Sequence, residues 1–228
     1  DFAALLEAVA AIDPELRVRF TTSHPQDMSD RLIDAIAGTP NICSFIHLPF
    51  QSGSDRILEM MNRTYSRAHY LDLVGRIRAR IPGVSLSTDV IAGFPTETED
   101  DHRDTLSLME EVRYDGAFMF KYSRRSRTAA WRWQETVDEE TKSRRLKTII
   151  DIQEQISREV QQACVGQTAR VLVEGVSKRE DGWLFGKTSE FRQVVFEDPA
   201  ARPGDMVDVK VVGATGHTLI GERAGAAK

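Results

Sequence analysis

The sequence predicts an α/β body of parallel strand–helix units followed by a small all-β barrel. Three observations predict it. Strand and helix patterns alternate up to Tyr122. A long helical run then opens at Asp138-Glu139-Glu140 and stops at Gly166. From Gln167 onward, short alternating apolar segments are separated by Gly, Pro and Asp. Repeated strand–helix units imply right-handed crossovers and a parallel sheet, as either an incomplete barrel or a doubly wound sheet; patterning does not choose between them.

The elements follow in order. Residues 2–12 carry apolar positions at helical spacing, and 16–22 alternate like a strand. Ser29 can cap a helix over 29–37. The apolar run 43–50 reads as a buried strand, and 54–62 and 66–80 read as helices, the second ended by Pro82-Gly83. A β-branched strand over 84–92 closes at Gly93-Phe94-Pro95, Thr98 starts a helix to Val112, and 116–122 form a fourth strand. Residues 123–137 break the pattern with Trp131, Trp133 and many arginines. The helix over 138–163 has acids at its positive end. Five short strands follow, which suggests a small barrel. The expected units are 1–165 and 166–228.

The 228 residues are 41% hydrophobic and 29% charged, with net charge -5. That balance gives no global pull toward nucleic acid, so RNA binding must come from local patches. No apolar run reaches the roughly 18 residues of a membrane span, and the first residues lack a basic start, which points to a cytoplasmic protein. The two cysteines, Cys43 and Cys164, stand far apart. Cys43 reads as a buried thiol, and two isolated thiols cannot hold an iron–sulfur cluster.

Ligands bind beyond the carboxyl ends of parallel strands. That rule points to residues 21–25, 48–54, 93–98 and 121–124, where Gly53 and Gly93 permit close backbone approach. Asp89 lies among apolar neighbours, so its carboxylate needs a partner: a diol such as a ribose, or a neighbouring loop. His24 and His47 are ligands, bases or satisfied structural residues, and no second group stands at metal spacing. In residues 121–147, Lys121, Arg124, Arg125, Arg127, Arg132, Lys142, Arg144, Arg145 and Lys147 face only Glu135, Asp138, Glu139 and Glu140. The interleaved tryptophans either stack on bases or pack on the body. In the tail, Arg170, Lys178, Arg179, Lys187 and Arg192 are balanced by nearby acids.

Leu48-Pro49 with Gln51-Ser52-Gly53-Ser54, Met61-Asn62-Arg63, Ser87-Thr88-Asp89 with Ile91-Ala92-Gly93-Phe94-Pro95-Thr96-Glu97, and Glu174-Gly175-Val176-Ser177-Lys178-Arg179 occur in that order. Together they resemble the MiaB-type methylthiotransferases, over residues 16–222. The resemblance implies the later part of a radical S-adenosylmethionine (β/α) barrel and an OB-like, RNA-binding TRAM tail. It implies that Gln51 and Asp89 hold the adenosylmethionine ribose and that Arg63 faces its methionyl carboxylate. The turn at Gly93 would shape the adenine pocket. RNA contacts fall to Lys178, Arg179, Lys187 and Arg192 in the tail, and to Arg124 and Arg125. The implied reaction adds a methylthio group to carbon 2 of N6-isopentenyladenosine beside the tRNA anticodon. One adenosylmethionine methylates a sulfur atom, and a second is cleaved to the radical that removes the hydrogen.

The resemblance further implies two 4Fe–4S clusters whose ligands this chain lacks, so the chain alone is expected to be inactive. Expected partners are the anticodon stem-loop and a flavodoxin- or ferredoxin-like electron donor, with the protein a monomer. Related branches act on a ribosomal protein or on threonylcarbamoyladenosine, and a non-catalytic RNA-binding protein is the reading from another class. One departure stands out. The family reads Tyr-Ser-x-Arg-Pro-Gly-Thr where this chain reads Tyr122-Ser123-Arg124-Arg125-Ser126-Arg127-Thr128, which changes the turn's allowed dihedrals and adds positive charge.

Overall fold

The structure is a computed structural model that describes residues 1–21, 24–126, 128–177 and 182–225. Helices α1 (Phe2–Ala10) and α2 (Asp30–Gly38) precede strand β1 (Phe45–His47). Helices α3 (Asp55–Met60) and α4 (Arg67–Arg80), strand β2 (Ser85–Ala92), helix α5 (Glu99–Val112) and strand β3 (Gly116–Lys121) follow. Helix α6 (Glu139–Gln162) leads to the tail strands β4 (Thr168–Val176), β5 (Trp183–Lys187), β6 (Gln193–Glu197), β7 (Met206–Ala214) and β8 (Thr218–Arg223).

The helices start where short polar side chains can take up the orphan N–H groups of a first turn. Asp1, Ser29, Ser54, Ser66, Thr98 and Asp138 each accept from an N–H two or three residues into their helix. At α5 the arrangement is reciprocal, because the Asp101 carboxylate accepts from the Thr98 N–H at 2.8 Å.

The body holds three parallel strands in the order β1-β2-β3. In register, Phe45 pairs with Ser85, His47 with Ser87, and Asp89 with Phe118. Because side chains alternate between faces, Leu86, Thr88 and Val90 of β2 and Ile46 of β1 turn toward the helices, where all four are fully buried. Each apolar chain buried this way contributes about 1.5–3 kcal/mol. Ser87, Asp89 and Ile91 occupy the other face.

Over its described residues, 16–21, the expected strand over 16–22 is not formed; Thr22 lies outside the described residues. Val18 alone bridges to Ile42; its N–H donates to the Asn41 carbonyl and its carbonyl accepts from the Cys43 N–H. The adjacent guanidinium groups of Arg17 and Arg19 reach across to the tail, where they donate to the carbonyls of Lys187, Arg170 and Thr188. The strand expected over 43–50 shortens to β1 because Phe50 leaves the ladder: its N–H donates to the Thr88 hydroxyl (3.0 Å).

The tail closes into a barrel in the order β4-β5-β6-β8-β7, so none of its strands is left as an edge. All its pairings are antiparallel except β6 with β8. The β5–β6 turn seats against the amino ends of the parallel strands. Arg192 pairs with Asp115 at 2.8 Å, Phe191 packs on Phe45 with ring centroids 4.9 Å apart, and the Ser44 N–H donates to the Ser189 hydroxyl (3.2 Å). Phe191 holds a left-handed φ of 67°, a strained conformation for an aromatic residue, in order to reach this seat.

Candidate ligand and RNA site

At the opposite, carboxyl ends of the strands lies a cavity of about 760 Å³. Gln51, Asn62, Arg63, Asp89, Phe94 and Arg125 line it, with Ile91, Phe120, Tyr122 and the Met60-Met61 pair. Gln51, Arg63 and Asp89, which stand far apart in sequence, thus meet around one space.

The loop after β1 is held from below. The hydroxyl of Tyr65 donates to the carbonyl of Pro49 (3.2 Å), and that of Tyr70 to the carbonyl of Leu48 (2.7 Å). Tyr114 donates in turn to the Tyr70 oxygen at 2.9 Å. Burial raises the pKa of Tyr65 to about 12, so these phenols stay protonated donors. Gln51 joins β2 through two backbone bonds, its N–H to the Asp89 carbonyl (2.9 Å) and its carbonyl from the Ile91 N–H (3.0 Å). It does so at a φ of 66°, a position most residues avoid. A Cβ at Gly53 would overlap the Asp104 carbonyl of α5; only glycine lets the loop lie that close.

Asp89, expected in or near the interior from its apolar neighbours, is partly open to solvent. Its side chain is 29% exposed on the cavity wall, and His47 Nε2 lies 3.5 Å from Oδ1. His47 Nδ1 meets the Ser87 hydroxyl at 2.9 Å. His24 is structural: its Nδ1 accepts from the Gln26 N–H (3.2 Å), and its ring packs edge-on against Tyr65. Arg63 leaves its Nε buried with no hydrogen-bond partner, a donor without an acceptor that costs stability until one arrives.

Gly93 stands behind the wall. It takes a φ of 76°, and a Cβ there would overlap the Lys142 stem. Its N–H donates to Glu97 Oε1 (3.0 Å), and Arg145 donates to the same oxygen at 2.8 Å and to the Glu97 carbonyl at 3.0 Å. Burial raises the Glu97 carboxyl above the ordinary range, against the pull of the Gly93 N–H and of Arg145. Burial acts in the same upward direction on Asp101, but the hydrogen bonds from Arg56, Ser54 and Thr98 outweigh it and hold that carboxyl well below its usual value. Sequence reasoning missed the Tyr65–Tyr70–Tyr114 clamp, the His47–Asp89 pair and the Glu97–Arg145 pair, since each joins residues remote in the chain.

The basic stretch is mostly neutralised by acids of this same chain. Lys121 pairs with Glu139, Arg124 with Glu135, and Lys142 with both. Arg144 and Arg145 pair with Glu99, and Lys147 with Asp151. The tail cations are also engaged. Arg192 is held by Asp115, while Lys187 pairs with Glu174 and lies 4.2 Å over the Phe191 ring. Both sit at the seam, at the end of the sheet away from the cavity. Lys178 and Arg179 lie outside the described residues. Cys43 and Cys164 are separate free thiols, both buried, and among the described residues no group of three or more His, Cys, Asp or Glu is placed to hold a metal.

Comparison with known proteins adds to this geometry. The model of the radical SAM superfamily matches residues 1–109 and that of the TRAM domain matches 162–223. Relatives from Bacteroides fragilis strain YCH46 and Chlorobaculum tepidum, both named tRNA-2-methylthio-N(6)-dimethylallyladenosine synthase, are 52% identical over 222 and 223 residues, 97% of this chain. The match covers 49% and 50% of those proteins, so the chain spans about half the length of the curated relatives it matches. Among solved structures, coproporphyrinogen III oxidase from Escherichia coli, a radical SAM enzyme, aligns with a TM-score of 0.55 over 67% of this chain and 36% of that one. At 17% identity the likeness is one of fold.

Proposed function

Because this chain belongs to the MiaB-type family of radical S-adenosylmethionine proteins with a TRAM tail, we propose that it forms the adenosylmethionine-holding wall and the RNA-facing tail of a tRNA methylthiotransferase. The reaction is addition of a methylthio group to carbon 2 of N6-isopentenyladenosine beside the anticodon. The observation that carries this reading is the meeting of Gln51, Arg63 and Asp89 around one nucleoside-sized cavity.

The residues present fit adenosylmethionine. The cavity lies within the ~300–1,000 Å³ usual for small-molecule sites. Asp89, steadied by His47, offers a carboxylate to the two hydroxyls of a ribose, and Gln51 offers an amide beside it. Arg63 brings a donor without a partner to the methionyl carboxylate, a charge-assisted pair. Phe94 and Ile91 give a base an apolar wall, and the Gly93 turn behind them is fixed by Glu97 and Arg145. When bound, adenosylmethionine supplies a transferable methyl group and, given an electron, the means to open an unactivated C–H bond. The iron–sulfur clusters do not fit this chain: two separated, buried thiols do not make a cluster site.

Arg125 on the cavity lining and the nearby Arg124 are the body's RNA contacts in this reading. In the tail, Lys187 and Arg192 brace the seam, leaving Lys178 and Arg179 as its RNA contacts. A target base in an unpaired loop can enter the cavity at little unpairing cost. The test is nucleoside mass spectrometry of tRNA from a strain unable to make 2-methylthioadenosines. A complete protein carrying this chain should restore them, and its Asp89→Ala form should not. Unmodified tRNA together with a methylthiolated ribosomal protein would reassign the substrate.

A further inference from the structure

We propose that the 3₁₀ turn Ala129–Arg132 at the cavity mouth is a clamp for unpaired nucleotides, with Trp131 stacking on a base and Arg125 and Arg132 holding phosphates. The inference rests on the reading that the substrate is RNA, and it names the surface that grips the nucleotides flanking the target.

The first observation is a balance of charge. Among the described cations of residues 121–147, six are paired with Glu or Asp. Arg125 and Arg132 are exposed and have no carboxylate partner among the described residues. Arg132 ends the short turn and Arg125 precedes it, and Arg125, Thr128 and Ala130 line the cavity.

The second observation separates the two tryptophans. Trp133 packs edge-on against Phe94 of the cavity wall, with centroids 5.8 Å apart. Trp131 is instead 47% exposed, although leaving an indole in water forgoes much of the burial energy open to it. Its placement is nevertheless fixed. Arg124 donates to the Trp131 carbonyl at 2.8 Å and the Trp133 carbonyl at 2.6 Å, and its guanidinium carbon lies 5.5 Å from the Trp131 ring centre. An indole braced by a cation and flanked by two unpaired guanidinium groups matches the stacking-plus-backbone recognition of single strands. In a duplex the base faces are already covered by their neighbours, so the platform suits a loop.

The test is equilibrium binding of a hairpin RNA with an unpaired loop to the full chain, compared with the same stem as a blunt duplex. Trp131 is one of three tryptophans, so its share of the indole emission is read as the difference between the wild type and Trp131→Phe. The hairpin should bind more tightly than the duplex and quench emission, and Trp131→Phe should remove the quenching while keeping most of the affinity. Trp131→Ala, checked for an unchanged melting temperature, should weaken hairpin binding by about tenfold or more. Arg125→Met and Arg132→Met should each lower the slope of log affinity against log salt by about 1. Hairpin affinity unchanged in Trp131→Ala, or equal binding of hairpin and duplex, overturns the clamp but leaves the RNA substrate standing. Absence of any RNA binding by the wild-type chain overturns both, as does displacement of the hairpin by an acidic peptide at equal concentration.

Discussion

Replacing Arg145 by Met tests how the turn behind the cavity is held. The Arg145 and Glu97 side chains are 6% and 2% exposed and meet at 2.8 Å. Removing the cation strands a buried carboxylate whose remaining partner is the Gly93 N–H. Breaking such a pair from one side costs about 3–5 kcal/mol. The link from Arg145 to Glu99 adds little, because Glu99 is half exposed. Urea unfolding at pH 7 of Arg145→Met, Glu97→Gln and the double variant closes a mutant cycle. The double variant should be clearly more stable than the sum of the single losses allows, since an amide can still accept from Gly93. The pH dependence has a definite sign. Burial already raises the folded-state pKa of Glu97, and loss of Arg145 raises it further, so the folded state binds the extra proton and the deficit of Arg145→Met should shrink as pH falls from neutrality toward the ordinary carboxylate range. A loss below about 1 kcal/mol with no coupling would refute this account of the turn.

Burial pushes the His102 imidazole down from 6.5 to about 4; the unfolded chain therefore binds more protons in that window, and stability should fall by up to about 3 kcal/mol as pH drops through it, a slope that His102→Gln flattens in pH-dependent melts. Gly53→Ala should cost about 1–3 kcal/mol and loosen the loop after β1, read as lower stability and weaker ligand binding together, because its Cβ would overlap the Asp104 carbonyl. Arg192→Ala should cost about 1.5–3 kcal/mol and make the link between α6 and β4 more sensitive to limited proteolysis, since the Asp115 pair at the seam is lost.

Much of the fold was legible because its signals are local. The caps at Ser29, Thr98 and Asp138 are a few residues from the N–H groups they satisfy, and the five alternating segments of the tail became the five strands of the closed barrel. The strand-end rule picked out the loop that carries Gln51, Asp89 stood out as a carboxylate among apolar neighbours, and Arg63 came only with the family resemblance; all three line one cavity. What stayed hidden depends on remote partners. The segment over 16–22 has strand-like alternation, yet Arg17 and Arg19 spend their side chains on the tail. Lys187 and Arg192 look like free cations in sequence until Glu174 and Asp115 arrive from elsewhere. The local charge balance of 121–147 omitted Glu97 and Glu99, which precede that stretch and answer Arg144 and Arg145.

The central claim is that Gln51, Arg63 and Asp89 form one site for a nucleoside bearing a carboxylate. Calorimetric titration of the chain with S-adenosylhomocysteine, which carries the ribose and carboxylate without the reactive sulfonium, tests it most directly. Saturable binding that weakens about tenfold or more in Arg63→Met and in Asp89→Asn, with melting temperatures unchanged, is the predicted result. Binding that is absent, or that is indifferent to both substitutions, would contradict it.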